Sequence, residues 1–212
     1  MNPLFAVGGA VLGLIFAPTM IPGAVWCVQT TLNSGWRGGT AAAAALAAAQ
    51  ALWAAVAATV LFLASGPVRY TDLPLRILAV LVLGYMALSV IRARRLDSLA
   101  SATPVQAPAR ILRRTFVLAC LMPMRFAGYA ALLVAVSLHL HRHGAANAVF
   151  IGIGVGAGSL AWWLFFVLLA YRYGRSVPEA ISVRSLNKLR VLAVAVFCGL
   201  MALALAPVLA SV

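Results

Sequence analysis

Acidic residues are almost missing from this chain: three among 212, against sixteen Lys and Arg. Charge of either sign is scarce at 9%, where a soluble globular domain carries about 25%. That scarcity excludes a water-facing surface, so the chain is neither a soluble enzyme nor a disordered segment. It also lacks runs in which aromatic and basic residues interleave, so its net charge of +13 does not read as a nucleic-acid surface. No basic segment precedes the first apolar run, MNPLFAVGGAVLGLIFAPT. A cleavable signal peptide needs one, so this run is expected to stay as a membrane span. No acid lies well inside an apolar stretch: Asp72 sits at the end of one, and Asp97 and Glu179 lie between stretches.

Apolar residues fill the space left by charge. They make up 65% of the chain, and the mean hydropathy is +1.05. This is the composition of a polytopic membrane protein. A span needs about 20 residues at 1.5 Å each. Six stretches qualify: Leu4–Leu32, Thr40–Ala64, Leu73–Ile91, Thr115–Leu138, Ala148–Tyr171 and Leu189–Leu209. In lipid the backbone must satisfy its own hydrogen bonds, and these runs do not alternate as barrel strands do. The expected fold is an all-α integral membrane protein with six transmembrane helices.

The basic residues assign the sides. Twelve fall in the loops after the first, third and fifth spans, and three (Arg69, Arg76, Arg142) on the other side. The twelve-residue side is expected to be cytoplasmic, which puts both termini outside. Arg125 is left inside the fourth span. Arginine supplies fifteen of the sixteen basic residues, with Lys188 the other. With the alanine runs, this points to a GC-rich bacterium and its plasma membrane.

The chain repeats itself. Pro18, Gly23, Arg37 and Gly39 share their spacing with Pro123, Gly128, Arg142 and Gly144. RILAV from Arg76 and GYMAL from Gly84 answer RVLAV from Arg190 and GLMAL from Gly199. The expected organisation is a first three-helix repeat at 1–91, a basic cytoplasmic linker at 92–114 rich in Ser, Ala, Thr and Pro, and a second repeat at 115–212. Three spans per half make the repeats inverted, a recurring plan of secondary transporters. Proline inside a helix removes a hydrogen bond. Breaks are therefore expected in the first span at Pro18 and Pro22, loosened by Gly23, and in the fourth at Pro123 with Gly128. Broken helices expose backbone N–H groups that favour anionic parts of a solute.

These residues resemble the lysine exporter and homoserine/threonine translocator (LysE/RhtB) family. The resemblance rests on Pro22-Gly23 in the first span and the turn Gly35-Trp36-Arg37-Gly38-Gly39. It continues through Phe116 to Met122-Pro123, Trp162-Trp163 and Leu186-Asn187-Lys188. It covers nearly the whole chain. Ala24 stands where the family has a second proline, Met122 where it has asparagine, and Ala41–Ala45 where it has glycines. The resemblance implies a six-span exporter of amino acids.

The remaining polar residues supply the candidate site. Arg125, two residues after Pro123, either pairs with a solute carboxylate or snorkels to the interface. Asp72 is the best acid for coupling, and equally an N-cap before Leu73-Pro74. Gln29, Thr30, Asn33 and Gln50 either line a cavity or hold helices together. His139, His141 and His143 suggest an alternative, a metal-ion exporter, although Arg142 among them opposes cation binding. Cys27 and Cys120 suggest another, a transmembrane thiol-redox carrier, although they are not equivalent in the repeat. Gly152, Gly154, Gly156 and Gly158 form overlapping GxxxG patterns that fit an intramolecular neighbour or a homodimer seam.

Together these features predict export of an amino acid or similar zwitterion across the lipid bilayer by alternating access. No bond-making chemistry, metal, cofactor or nucleic acid is expected. The substrate-binding set is Pro18, Pro22, Gly23, Gln29, Pro123, Arg125 and Gly128.

Overall fold

A computed structural model describes residues 4–64, 72–92, 106–122, 124–135, 146–173 and 183–209. Among them all regular structure is helical. The elements are α1 (Leu4–Phe16), a short 3-10 turn (Ala17–Thr19), α2 (Ile21–Ala64), α3 (Asp72–Arg92), α4 (Pro108–Cys120), α5 (Met124–Ala135), α6 (Ala146–Tyr173) and α7 (Val183–Leu209). Three helical segments are long and apolar enough to cross a membrane: Ile21–Leu63, Pro74–Arg92 and Asn147–Tyr173. The bent pair α4–α5 makes a fourth if taken as one span. On α3, Leu78, Leu81, Tyr85, Leu88 and Ile91 are all exposed. A continuous apolar face of this kind is suited to lipid rather than water.

The first span breaks where proline predicts. α1 ends at Phe16, the chain passes through the 3-10 turn, and Met20 has non-helical backbone angles. Thr19 Oγ1 donates to the Phe16 carbonyl at 2.6 Å, satisfying an acceptor freed by the break. Pro22 does not break anything. It is the second residue of α2, where its missing N–H interrupts no hydrogen bond.

As a straight rod the 43 residues Ile21–Leu63 would run about 65 Å, twice the hydrocarbon core. Gly35, with φ +70° and ψ −172°, interrupts them. A side chain at Gly39 would collide with Thr31, eight residues back. Those positions would be about 12 Å apart in a continuous helix, so the chain doubles back at Gly35. The two limbs correspond to the end of the first expected span and the whole of the second.

The fourth span differs more. Its helix begins at Pro108, seven residues before Thr115, with proline in the first turn. Arg110, Arg113 and Arg114, expected in the linker, lie exposed on α4, while Ile111, Thr115 and Ala119 face inward. Arginine is a good helix former, and inward residues at a four-residue spacing give α4 a packing face, so the Pro and Ala cues for a loop lose. α4 and α5 then meet at 67° across residues 121–123.

Packing follows small residues. α1 lies against α6, where Cβ atoms added at Gly9 or Gly13 of α1 would strike the Ile151 and Val155 carbonyls. Side chains at Gly154 and Gly158 would strike the Ala6 and Ala10 carbonyls in return. Gly152 and Gly156 face Ala51 and Ala55 of α2. The glycine stripe thus serves two of the chain's own helices, one on each side.

Candidate functional site

The most concentrated polar cluster among the described residues forms around Gln50, fully buried on the second limb of α2. Its Nε2 donates to the Met20 sulfur at 3.2 Å. Its Oε1 accepts the Tyr129 hydroxyl at 2.9 Å. The Ser159 hydroxyl also reaches that oxygen, and lies 3.4 Å from the Gly13 carbonyl. A hydroxyl has one proton, so Ser159 serves one acceptor at a time. One amide therefore ties the second limb of α2 to the first break, α5 and α6.

The first break and the helix that follows the second meet here. Met20 lies within the first. Tyr129 is on α5, one and a half turns past the second, and its ring centroid sits 4.8 Å from that of Phe16, the last residue of α1. Gly128 makes room for this contact. A Cβ there would come within 2.9 Å of Phe16 and 3.0 Å of the Met86 sulfur. Gly23, its counterpart in the repeat, does the same for the Trp163 indole, at 2.9 Å. Gly23 was expected to loosen the backbone. Both glycines sit inside regular helix, and what they provide is space for an aromatic ring.

Arg125 is the second residue of α5 and is 9% exposed. Its backbone N–H donates to the Met122 carbonyl at 3.1 Å. Its Nη1 is buried without a hydrogen-bond partner. On α2, Trp53 meets Phe126 edge-on at 6.2 Å, and its Nε1 is likewise buried without a partner.

The other expected site residues fall elsewhere. Pro18 is buried in the 3-10 turn, and Pro22 is exposed. Gln29 is half-buried, about two and a half turns from Met20. Thr30 and Thr31 return their hydroxyls to the Trp26 and Cys27 carbonyls at 2.7 and 2.6 Å, so they act within the helix. Pro123, the Asp72 side chain, and His139, His141 and His143 lie outside the described residues. Cys27 is buried, Cys120 half-buried and Cys198 exposed, all as free thiols. No cluster of three metal-ligating side chains occurs among the described residues.

Sequence reading named Gln50 only as one of several polar groups, and missed Tyr129, Ser159 and Trp53. Tyr, Ser and Trp are ordinary in apolar spans. The available signal was Gln50 itself, because an amide in lipid needs partners for up to four hydrogen bonds. No protein-family model, curated protein or solved structure matches this chain.

Proposed function

We propose that the chain is a secondary transporter that exports an amino acid or similar small zwitterionic metabolite from the cytoplasm by alternating access. The observation that carries this reading is one buried amide, Gln50, bonded both to Met20 in the first helix break and to Tyr129 on the helix that follows the second. A chain that needed only to span lipid would have no use for two interrupted helices bound to one buried amide. Broken helices at depth are tolerated where they are buried in protein or line a path, and they are the usual place of transporter binding sites.

The pattern of packing supports the inverted repeat. The two breaks fall at nearly the same repeat position, and Met20 and Arg125 each stand two residues after the repeated proline. α1 packs on α6, while its counterpart α4 packs on α2. The excess of basic residues in alternate loops supports a cytoplasmic face there, with both termini outside. The resemblance to the LysE/RhtB family points the same way.

The test is efflux from preloaded proteoliposomes, against a panel of labelled amino acids. Saturable, sidedness-dependent efflux of at least one is expected. Absence of saturable efflux for every member of the panel would overturn the reading.

A further inference from the structure

Four side-chain donors among the described residues are buried without a partner; Trp162 Nε1 and Trp163 Nε1 are neighbours on α6, and the other two, Arg125 Nη1 and Trp53 Nε1, share one helix–helix contact. Gln50 pairs with Tyr129 and Trp53 with Phe126, so α2 and α5 run antiparallel here. Arg125 lies four residues before Tyr129 on the same face of α5, and Trp53 three residues after Gln50 on α2. Each is therefore one turn from the Gln50–Tyr129 hydrogen bond, in the same direction. Arg125 Nη1 and Trp53 Nε1 both end buried and unpaired on that level. A buried donor left unpaired costs about 1–3 kcal/mol, more for a charged group, so two at one level need an explanation.

The surroundings say what would satisfy them. Both are donors only. A guanidinium matches a carboxylate with two parallel hydrogen bonds, and an indole N–H can add a third. The surroundings are aromatic and apolar: Trp53 meets Phe126 edge-on, Tyr129, one turn away, meets Phe16, and Ala54, next to Trp53 in sequence, is fully buried. No Asp or Glu lies within α2 or α5 to take an ammonium group.

We infer that Arg125 and Trp53 form a carboxylate subsite, whose occupants carry an apolar tail and no net positive charge. The inference rests on the transporter reading for its purpose and narrows that reading's substrate class. The carboxylate is held by Arg125 and Trp53, and the solute's amine is not read by any fixed charge. Dibasic amino acids such as lysine are excluded, because a second cation would lie near Arg125 with nothing to offset it.

The test uses the full chain in detergent, with saturation-transfer NMR, and three probes: 4-methylpentanoate, isopentylamine and L-lysine. Empty micelles set the background. The acid is expected to bind, and the amine and lysine are not. Hydrogen bonds to charged groups contribute about 1.5–3 kcal/mol, so Arg125→Gln is expected to weaken the acid about tenfold to a hundredfold. Arg125→Lys restores part of the loss, because it keeps charge without the fork. Trp53→Phe, which keeps the ring and loses the N–H, weakens the acid less than Arg125→Gln does. Circular dichroism and gel filtration identify any variant that fails to fold, and Trp53→Phe and Arg125→Lys then carry the test. Equal binding of acid and amine, no binding of the acid, or acid binding unchanged in the folded variants would overturn the subsite. Specific acid binding without efflux from proteoliposomes keeps the subsite and removes the transporter reading. Saturable efflux that is indifferent to Arg125→Gln keeps transport and removes the subsite.

Discussion

Tyr129 donates its hydroxyl to the Gln50 amide oxygen at 2.9 Å, joining two positions 79 residues apart. Ser159 and Met20 bond the same amide. Replacing Gln50 by Leu removes the acceptor of the Tyr129 hydroxyl, while Ser159 retains the Gly13 carbonyl. Hydrogen bonds inside membrane proteins average about 0.6 kcal/mol, and stranded buried groups cost about 1–3 kcal/mol. Gln50→Leu is expected to lose about 1–2 kcal/mol, read as a lower unfolding midpoint in detergent. Gln50→Glu, which keeps an acceptor oxygen but replaces the amide donor with a second oxygen, is expected to keep the Tyr129 contact, lose the hydrogen bond to Met20 and reduce solute efflux.

Glycine substitutions separate close packing from simple helix propensity. Gly158 lies against the Ala10 carbonyl, a backbone atom that cannot swing away. Gly199 has nothing within 4 Å of an added Cβ. Gly199→Ala is expected to be neutral or to stabilise by about 0.5–1 kcal/mol, the helix preference of Ala over Gly. Gly158→Ala is expected to destabilise by more than 2 kcal/mol, roughly the scale of overpacking a dense seam. Thermal unfolding of the two variants side by side reads the difference, and equal midpoints would contradict the α1–α6 packing.

Gly35 tests the hairpin in α2. Its φ of +70° and ψ of −172° lie in a region essentially confined to glycine, and an added side chain would meet open space. Any penalty is therefore conformational. Gly35→Ala and Gly35→Asn are each expected to cost about 1–3 kcal/mol, because Asn is tolerated in the left-handed helical well and not at this ψ. In an unfolding series over Gly, Asn, Ala and Val at this position, Gly should stand above the other three.

Pro22 carries a contrasting expectation. It is exposed in the first turn of α2, where no intrahelical hydrogen bond is lost. Pro22→Ala is expected to change stability by less than about 1 kcal/mol. Its efflux kinetics are expected to stay close to those of the parent chain, whereas Gly23→Val, which drives a branched side chain into Trp163, is expected to abolish both folding yield and efflux.

Much of the helical layout was legible in the sequence. α3 spans Asp72–Arg92 where Leu73–Ile91 was expected, and α6 spans Ala146–Tyr173 where Ala148–Tyr171 was expected. Apolar length sets these boundaries, and a hydrocarbon core allows little latitude. Pro18 marked a real break because a missing N–H acts locally. Pro22 misled, since proline has opposite meanings inside a helix and at its start. α4 began early because inward residues at Ile111, Thr115 and Ala119 outweigh the loop-like composition before it. Gly23 was read as flexible and Gly128 as part of the second break, when the part of both is to be small, and that depends on Trp163 and Phe16, which are distant in sequence. The same distance hid the Gln50–Tyr129–Ser159 cluster. No local pattern announces which hydroxyls an amide will find.

The central claim is that the Gln50 cluster lies on a path opened alternately to the two sides of the membrane. Met20, half-buried at the first break, reports on it. The measurement is the rate at which a membrane-impermeant maleimide labels Met20→Cys from each side. It is made in a chain with Cys27, Cys120 and Cys198 replaced, with and without the exported solute. The account predicts labelling from both sides, slowed from each by the solute. Labelling from neither side, or from one side only and indifferent to solute, would contradict it.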